Sequence, residues 1–384
     1  MRVLIAGGGV AGTACAVALA ATGAEVTLYE AYEDPAGPVG SFLSLAANGL
    51  RGLEVLGALD AARAAGFAVP RQRMWAGNGK LLGDVARART AQDPMISVTL
   101  MRSDLVSVLR EQARRAGARI VTGERLTSDD LAAAAADGTD LVVGADGIWS
   151  ATRRFLDPAA PDPVYGGQYS VSGVARGLGL EPGSWNMIYG RRGAFIYLPA
   201  PDGSVWWSAQ VSAAQPPGPD ADSLDRLAAL YAAEHQAVRI LRASDPATDT
   251  VHGVTNHHVL APVPRWHDDR TVLVGDAAHP VGSGQGASMA IEDAIVLAQE
   301  LQAKGSVAAA LAGYEERRRP RVAKMAKAAA SNRDAKVAGP VAARMRNLMM
   351  PLFFGRFYEK ATAWLYAYDP GPLTGMGSGA GVAT

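Results

Sequence analysis

A short apolar run, Val3 to Ala6, drops into glycines at 7, 8, 9 and 12, after which apolar residues recur at helical spacing at Ala11, Ala14, Cys15, Ala18 and Leu19. Gly23 stops that helix, and Val26 to Tyr29 form a second apolar run that ends in an acid, Glu30. Strand, tight turn, helix and strand make a βαβ unit. After a Pro/Gly-rich crossing at Pro35 to Gly40, Leu50, Leu53, Leu56 and Leu59 fall near helical spacing and predict one helix. The mixed segment Val69 to Val85, with turn residues Gly77-Asn78-Gly79, predicts a small antiparallel excursion. Leu105, Val108, Leu109, Gln112 and Ala113 share one face of the next helix, which Arg102 opens with Ser103 as its N-cap and Gly117 past its end. Short strands are expected at Arg119 to Val121 and Asp140 to Val143.

Between about Val164 and Val254 the texture changes. YSVSGVA, WNMIYG, AFIYLP and VWWSAQV are β-rich segments separated by Gly, Pro and Asp, which predicts an antiparallel sheet. Trp185, Trp206, Trp207 and Phe195 are expected to make one face of it aromatic, a wall for an apolar substrate. The α/β pattern returns with Thr271 to Val274 and a helix from about Ala287 to Lys304. Ala308 to Asp369 reads as mostly helical, broken near Gly339-Pro340 and at Pro351, and its run LMMPLFFGRFYEKATAWLYAY is expected to pack against its own protein. The Gly-rich end, GPLTGMGSGAGVAT, is expected to be disordered. The pattern as a whole predicts an α/β protein. Its Rossmann-like domain is assembled from 1–68, 93–163 and 255–305, with an excursion at 69–92, an inserted antiparallel β-sheet substrate domain at 164–254 and C-terminal helices at 306–384.

Composition narrows the function classes. The 384 residues carry 37 Lys and Arg against 37 Asp and Glu, so no excess charge points to nucleic acid or an acidic partner. The single cysteine, Cys15, lies on the buried face of the first helix, which implies no disulfide framework and a reducing compartment. The opening MRVLIA run is too short for a signal sequence and no 18-residue apolar stretch occurs, so a cytoplasmic protein without stable membrane association is expected. No HExxH or CxxC is present and the six histidines are scattered, so no metal site is expected. His257-His258 are placed on a strand between the two domains, with one of them facing inward. There is no GxSxG in a strand-turn-helix setting and no WxWxIP.

The glycines carry the first chemical signal. In Gly7-x-Gly9-x-x-Gly12, with Val10 and Ala11 between, the first glycine allows the turn, the second lets backbone N–H groups approach a pyrophosphate, and the third lets helix and strand pack closely. The diphosphate is placed at the positive end of the helix, and Glu30 is placed to bond a ribose hydroxyl. Two further segments stand out: LVVGADGIWSATR, from Leu141 to Arg153, and VLVGDAAHP, from Val272 to Pro280, followed by GQGASMAIEDA from Gly284 to Ala294.

Together with Arg102-x-x-Leu105, these motifs resemble the FAD-dependent aromatic hydroxylases, single-component flavoprotein monooxygenases of the para-hydroxybenzoate hydroxylase type. The resemblance runs in order over about 300 residues and is strong at the four motifs. It implies a Rossmann-like FAD-binding domain holding non-covalent FAD, NAD(P)H as a transient co-substrate, and O2. It further implies that Arg102 approaches the diphosphate and that Asp146, closed by Arg153, belongs to a motif tied to FAD and the pyridine nucleotide. Asp276 accepts bonds from the ribitol or diphosphate side, and the helix start at Gly284, Gly286, Ala287 and Ser288 faces the pyrimidine edge of the flavin. The implied reaction delivers oxygen from a flavin C4a-hydroperoxide to an electron-rich aromatic or heteroaromatic ring. No side chain stands out as catalytic. The chain departs from the family pattern in the short loop Val281 to Ser283 and in Val171-Ser172-Gly173, where many relatives have Trp-Arg before a glycine. An aromatic, nearly uncharged pocket favours a phenolic or indole-like substrate from secondary metabolism. Epoxidation, Baeyer–Villiger insertion and a non-oxygenating flavin reductase are the alternatives.

Overall fold

The computed structural model describes residues 1–33, 41–247, 250–282, 284–336 and 340–375. The crossing at Pro35 to Gly40, Gly339, Ser283 and the last nine residues of the Gly-rich end lie outside them.

The chain opens with β1 (Arg2–Ala6), α1 (Val10–Ala21), β2 (Glu25–Glu30), β3 (Phe42–Leu45), α2 (Ala47–Val55) and α3 (Leu59–Ala64). It continues through β4 (Phe67–Ala68), β5 (Arg71–Ala76), β6 (Leu81–Ala86), β7 (Val98–Met101), α4 (Arg102–Arg115), β8 (Arg119–Thr122), α5 (Ser128–Ala136), β9 (Leu141–Gly144) and α6 (Ala151–Leu156). Next come β10 (Val164–Ala175), β11 (Ser184–Tyr189), β12 (Gly193–Pro199), β13 (Val205–Ser212), α7 (Leu224–Leu230), α8 (His235–Arg242) and β14 (Val251–Val259). The last elements are β15 (Thr271–Leu273), a 3-10 turn at Gly275–Ala277, α9 (Gly286–Ala303), α10 (Val307–Lys336) and α11 (Pro340–Tyr366).

A five-stranded sheet in the order β15-β9-β1-β2-β8 is parallel throughout. Its central strands read as near-continuous apolar runs because helices cover both faces. Between β1 and α9, α1 is buried almost all round, which its Ala-rich composition permits by letting neighbouring helices approach closely. A seven-stranded sheet, β14-β10-β13-β12-β11-β5-β6, is antiparallel except where β11 runs parallel to β5. The excursion expected at Val69 to Val85 is the hairpin β5-β6 at the end of that sheet. A small third sheet, β3-β7-β4, has no counterpart among the elements the sequence pattern predicts.

Several expectations are corrected. The helix drawn through Leu50 to Leu59 is two, α2 and α3, because Gly57 takes a left-handed φ of +66° and ends the first. Ser103 is the second residue of α4 and not its N-cap, which is Met101. Within the β-rich stretch, α7 and α8 cover one face of the large sheet. That cover decides the aromatics: Trp207 and Phe195 are stacked and fully buried under these helices, whereas Trp206 points to the opposite face with Trp185. Side chains of adjacent strand residues leave opposite faces, so the four rings do not form one wall. Pro351 sits inside α11 without ending it, as Pro320 sits inside α10. One face of α11 packs inward through Met350, Phe354, Tyr358 and Trp364, and Leu348, Leu352, Phe353 and Phe357 face outward. Among the described residues no helix is long and apolar enough to cross a membrane.

Candidate functional site

β1 and β9 end side by side, with Ala6 opposite Gly144, so the loops after them share the carboxyl edge of the parallel sheet. Ligands of such sheets bind at that edge. Gly7 has a φ of +102°, and a Cβ there would fall 2.5 Å from the Ala145 carbonyl oxygen. A Cβ at Gly12 would fall 1.8 Å from the Gly7 oxygen, so helix and turn close only with glycine at both positions. Glu30, buried at the end of β2, accepts from the Gly8 N–H at 2.7 Å through Oε2 and from the Tyr32 N–H at 3.0 Å through Oε1. Its carboxylate is thereby fixed beside the turn.

Arg102 opens α4 next to this turn; a Cβ at Gly9 would lie 3.5 Å from Arg102 Nη2. After β15 the chain makes the tight turn Gly275–Ala277, where Gly275 has a φ of +56° and its Cβ position would lie 2.8 Å from Ala11 Cβ. The turn presents Asp276, whose side chain is solvent-accessible and yet crowded by protein atoms. Its exposure amid surrounding protein places it at the open edge of the sheet and not in the core. Crowding raises its pKa above the usual carboxylate range, opposed by the charges of His279 and Arg102. A Cβ at Gly286, the first residue of α9, would lie 3.8 Å from Asp276 Oδ1. The N-cap residue Gln285 makes no side-chain cap bond, so the opening N–H groups of α9 face this space without one. Gly284, with a φ of +115°, has no atom within 4 Å of its Cβ position.

Not every candidate side chain points into the cleft. Val10 is buried in the core, Ala287 packs against it, and Ser288 is buried so close to α2 that a Cβ at Gly49 would fall 2.4 Å from its Oγ. These positions offer backbone only. The Asp146 carboxylate accepts from Ser150 Oγ, from the Thr152 N–H at 2.9 Å and from Thr152 Oγ1 at 3.0 Å, and so holds the first turn of α6, which Ser150 caps. Arg153, buried, donates to the carbonyls of Ala277 at 3.0 Å and Ile148 at 2.7 Å, tying the loop after β9 to the Asp276 turn.

A buried ionic cluster behind the cleft was not read from the sequence. Asp293, in the middle of α9, accepts from the Gly275 N–H at 2.9 Å and lies 2.7 Å from His279 Nε2. Its other oxygen accepts from Arg318 Nε at 2.7 Å. Burial alone would raise the Asp293 pKa, but the charges of His279 and Arg318 and the bonds from His279 and Gly275 outweigh it and hold the acid at about 2. Glu292 accepts from Arg318 and Arg321 and from Asn48 Nδ2 at 2.8 Å. The signal was present as two adjacent acids inside the apolar run Ile291 to Leu297, with an arginine run, Arg317 to Arg319, after it.

Opposite the cleft, Trp206 packs against Phe42 and Phe67 of the small sheet, at centroid distances of 5.8 and 5.0 Å. Of the departures from the family pattern, Ser172 Oγ donates to Ser208 Oγ at 3.1 Å on that face while Val171 is core. His257 and His258 lie on the edge strand β14, the first 3.0 Å from Ser170 Oγ and the second edge-on to Trp149 at 5.0 Å. An open recess of ≈ 620 Å³ beside α8, lined by Leu178, His235 and Arg239, shares no residue with the cleft, and its lining carries none of the motifs.

A family model described as an FAD binding domain matches residues 1–329. The chain is 32% identical over 330 residues to the aurachin C monooxygenase/isomerase of Stigmatella aurantiaca, covering 82% of this chain and 84% of that protein. It is 30% identical over 354 residues to kynurenine 3-monooxygenase of Salinispora arenicola (strain CNS-205), covering 83% and 76%. The crystal structure of Klebsiella pneumoniae HpxO complexed with FAD and uric acid shares the fold, with a TM-score of 0.81 at 22% identity over 97% of this chain and 98% of that one.

Proposed function

Because the chain belongs to the FAD-binding-domain family of flavoprotein monooxygenases, we propose that it oxygenates an electron-rich aromatic or heteroaromatic small molecule with O2. It is an FAD-dependent monooxygenase whose family draws electrons from NAD(P)H. The observation that carries the substrate-oxygenating reading is the convergence of three of the motifs on one edge, to which Arg153 of the fourth ties its loop. Gly9 adjoins Arg102, Arg102 and His279 act on Asp276, and Asp276 adjoins Gly286.

The residues fit the cofactor: the turn has no room for a side chain at Gly7 or Gly12, a carboxylate flanks it, and a second carboxylate lines the open cleft. In this assignment the backbone of Gly7, Gly9, Val10, Ala11 and Gly12 and the Arg102 guanidinium hold the diphosphate. Glu30 holds the ribose and Asp276 the sugar-alcohol chain. The backbone from Gly284 to Ser288 faces the ring, where unpaired N–H groups favour negative charge. Asp146 shapes its loop from within. When bound, FAD supplies the electron transfer and oxygen activation. The protein orients the substrate and excludes water, and Trp206, Phe42 and Phe67 close the apolar side between the two larger sheets.

The reading extends to a cytoplasmic enzyme in which segments 1–68, 93–163 and 255–305 carry the cofactor. Segments 69–92 and 164–254 then carry the substrate sheet, and 306–384 the C-terminal helices. The test is spectroscopic and then kinetic. Purified protein should be yellow and release one FAD per chain on acid precipitation. A panel of phenols and indoles should contain members that stimulate NADH or NADPH oxidation and acquire one labelled atom from 18O2. Flavin that stays covalently attached, FMN in place of FAD, or oxidation that never labels an aromatic product would overturn it.

A further inference from the structure

Among the described residues nothing covers the outer face of α11, and that face is apolar. Met345, Leu348, Met349, Leu352, Phe353 and Phe357 recur at spacings of three and four, which puts them on one side of the helix. All six are exposed, Leu348 at 64%, Leu352 at 65% and Phe357 at 56%. The other exposed large apolar side chains among the described residues are scattered singly along the chain, which is ordinary for a protein surface. The helix itself is anchored from behind. Met350 and Phe354 pack against the cluster that holds Met74, Leu82 and Met187, and Arg346 lies 3.9 Å from the Tyr189 ring centroid. The outer face therefore cannot turn inward without emptying the inner one.

Charge indicates what the face meets. The chain as a whole is balanced, yet 340–366 holds four basic residues and one acid. Arg344 is exposed where the apolar face begins and Lys360 where it ends, and neither forms an ion pair among the described residues. The acid, Glu359, accepts from the Ala91 N–H at 3.2 Å. A second copy of the chain fits this face badly. A two-fold contact of antiparallel helices centred on Leu352 would set Arg344 of each copy against Lys360 of the other, cation against cation. Exposed Leu, Met and Phe between unpaired cations are instead complementary to a bilayer surface of anionic phospholipid. No helix among the described residues is long and apolar enough to cross a membrane, so the contact lies in the plane of the headgroups.

We propose that the outer face of α11 docks this protein reversibly on anionic phospholipid membrane. The test is co-sedimentation of the FAD-loaded, full-length protein with vesicles of phosphatidylcholine alone and of phosphatidylcholine with roughly one third phosphatidylglycerol. Binding to the anionic vesicles is expected to be tenfold or more stronger than to the neutral ones, and to weaken as salt is added. The triple variant Leu352→Ser/Phe353→Ser/Phe357→Ser should lose tenfold or more of it, and Arg344→Glu/Lys360→Glu several-fold. Arg242→Glu, at an exposed position on α8, controls for general charge and should leave binding unchanged. FAD content and thermal unfolding report whether each variant is folded. No binding to anionic vesicles, equal binding to both kinds, an equal loss in Arg242→Glu, or binding that survives in the triple variant overturns the proposal. Self-association in sedimentation equilibrium that the triple variant abolishes overturns it too, because a second copy would then own the face. Every readout is binding and none is turnover, so the outcome is independent of the oxygenase reading.

Discussion

Arg318 Nε donates to Asp293 Oδ1 at 2.7 Å with both side chains fully buried, and this bond joins α10 to α9, the helix that starts beside Asp276. The other Asp293 oxygen holds the Gly275 N–H, so the turn that presents Asp276 is fixed from behind. Removing Asp293 leaves Arg318 one buried carboxylate, Glu292, in place of two, and takes the partner from His279 and the Gly275 N–H, so one buried positive charge loses its counter-charge. Asp293→Ala should therefore cost about 3–5 kcal/mol of unfolding free energy. Urea denaturation of the single variants and of Asp293→Ala/Arg318→Ala checks this: the double variant should lose less than the sum of the two.

The same acid sets a pH dependence. Its folded pKa of about 2 is below the ordinary aspartate value of about 3.9. A depressed folded pKa adds stability above the unfolded value, and that share is lost as pH falls through the folded one, here from about pH 4 towards about 2. The contribution is about 2–3 kcal/mol. Compared by urea denaturation, wild type should lose its advantage over Asp293→Asn across that window. An advantage unchanged down to about pH 2 would contradict the assignment.

Glu30 is already oriented by two backbone N–H groups, so its carboxylate needs no rearrangement to meet a ribose hydroxyl. Glu30→Ala should weaken FAD binding by about 1.5–3 kcal/mol, the worth of a hydrogen bond to a charged group. Titration of the apoprotein with FAD measures it, and an unchanged Kd would remove Glu30 from the site.

Asp276 and Gly286 are neighbours across the cleft, yet their variants should behave differently. Asp276→Ala should lower FAD occupancy and leave the protein that retains FAD reducible at a normal rate. A side chain at Gly286 enters the space between Asp276 and the helix start, so Gly286→Val should slow flavin reduction by NAD(P)H even when FAD saturates. Stopped-flow reduction at saturating FAD separates the two, and a normal rate for Gly286→Val would mean that this helix does not face the ring.

What the sequence determined by itself is local. The βαβ turn was legible because its constraints act within thirty residues: a strand, glycines that alone permit the backbone path of Gly7 and Gly12, a helix and an acid. The β-rich segments separated by Gly, Pro and Asp likewise marked the large sheet. The opposite facing of Trp206 and Trp207 was also legible, since neighbours on a strand leave opposite faces. Which face is core was not, because that depends on where α7 and α8 settle after a turn. Short elements such as β3 and β4 escaped because two to four residues carry too little pattern, and only pairing with β7 makes them strands. The assignment of charges was tertiary throughout. Asp146 reads as a ligand residue, yet its carboxylate is taken by Ser150 and Thr152. Asp293 and Arg318 are meaningful only once two helices pack, and Arg87 meets the Trp185 ring only when the sheet sets them side by side. Periodicity reports which residues are buried together; the partner a buried charge meets is decided by long-range packing, because the cost of leaving it alone is settled only in the folded interior.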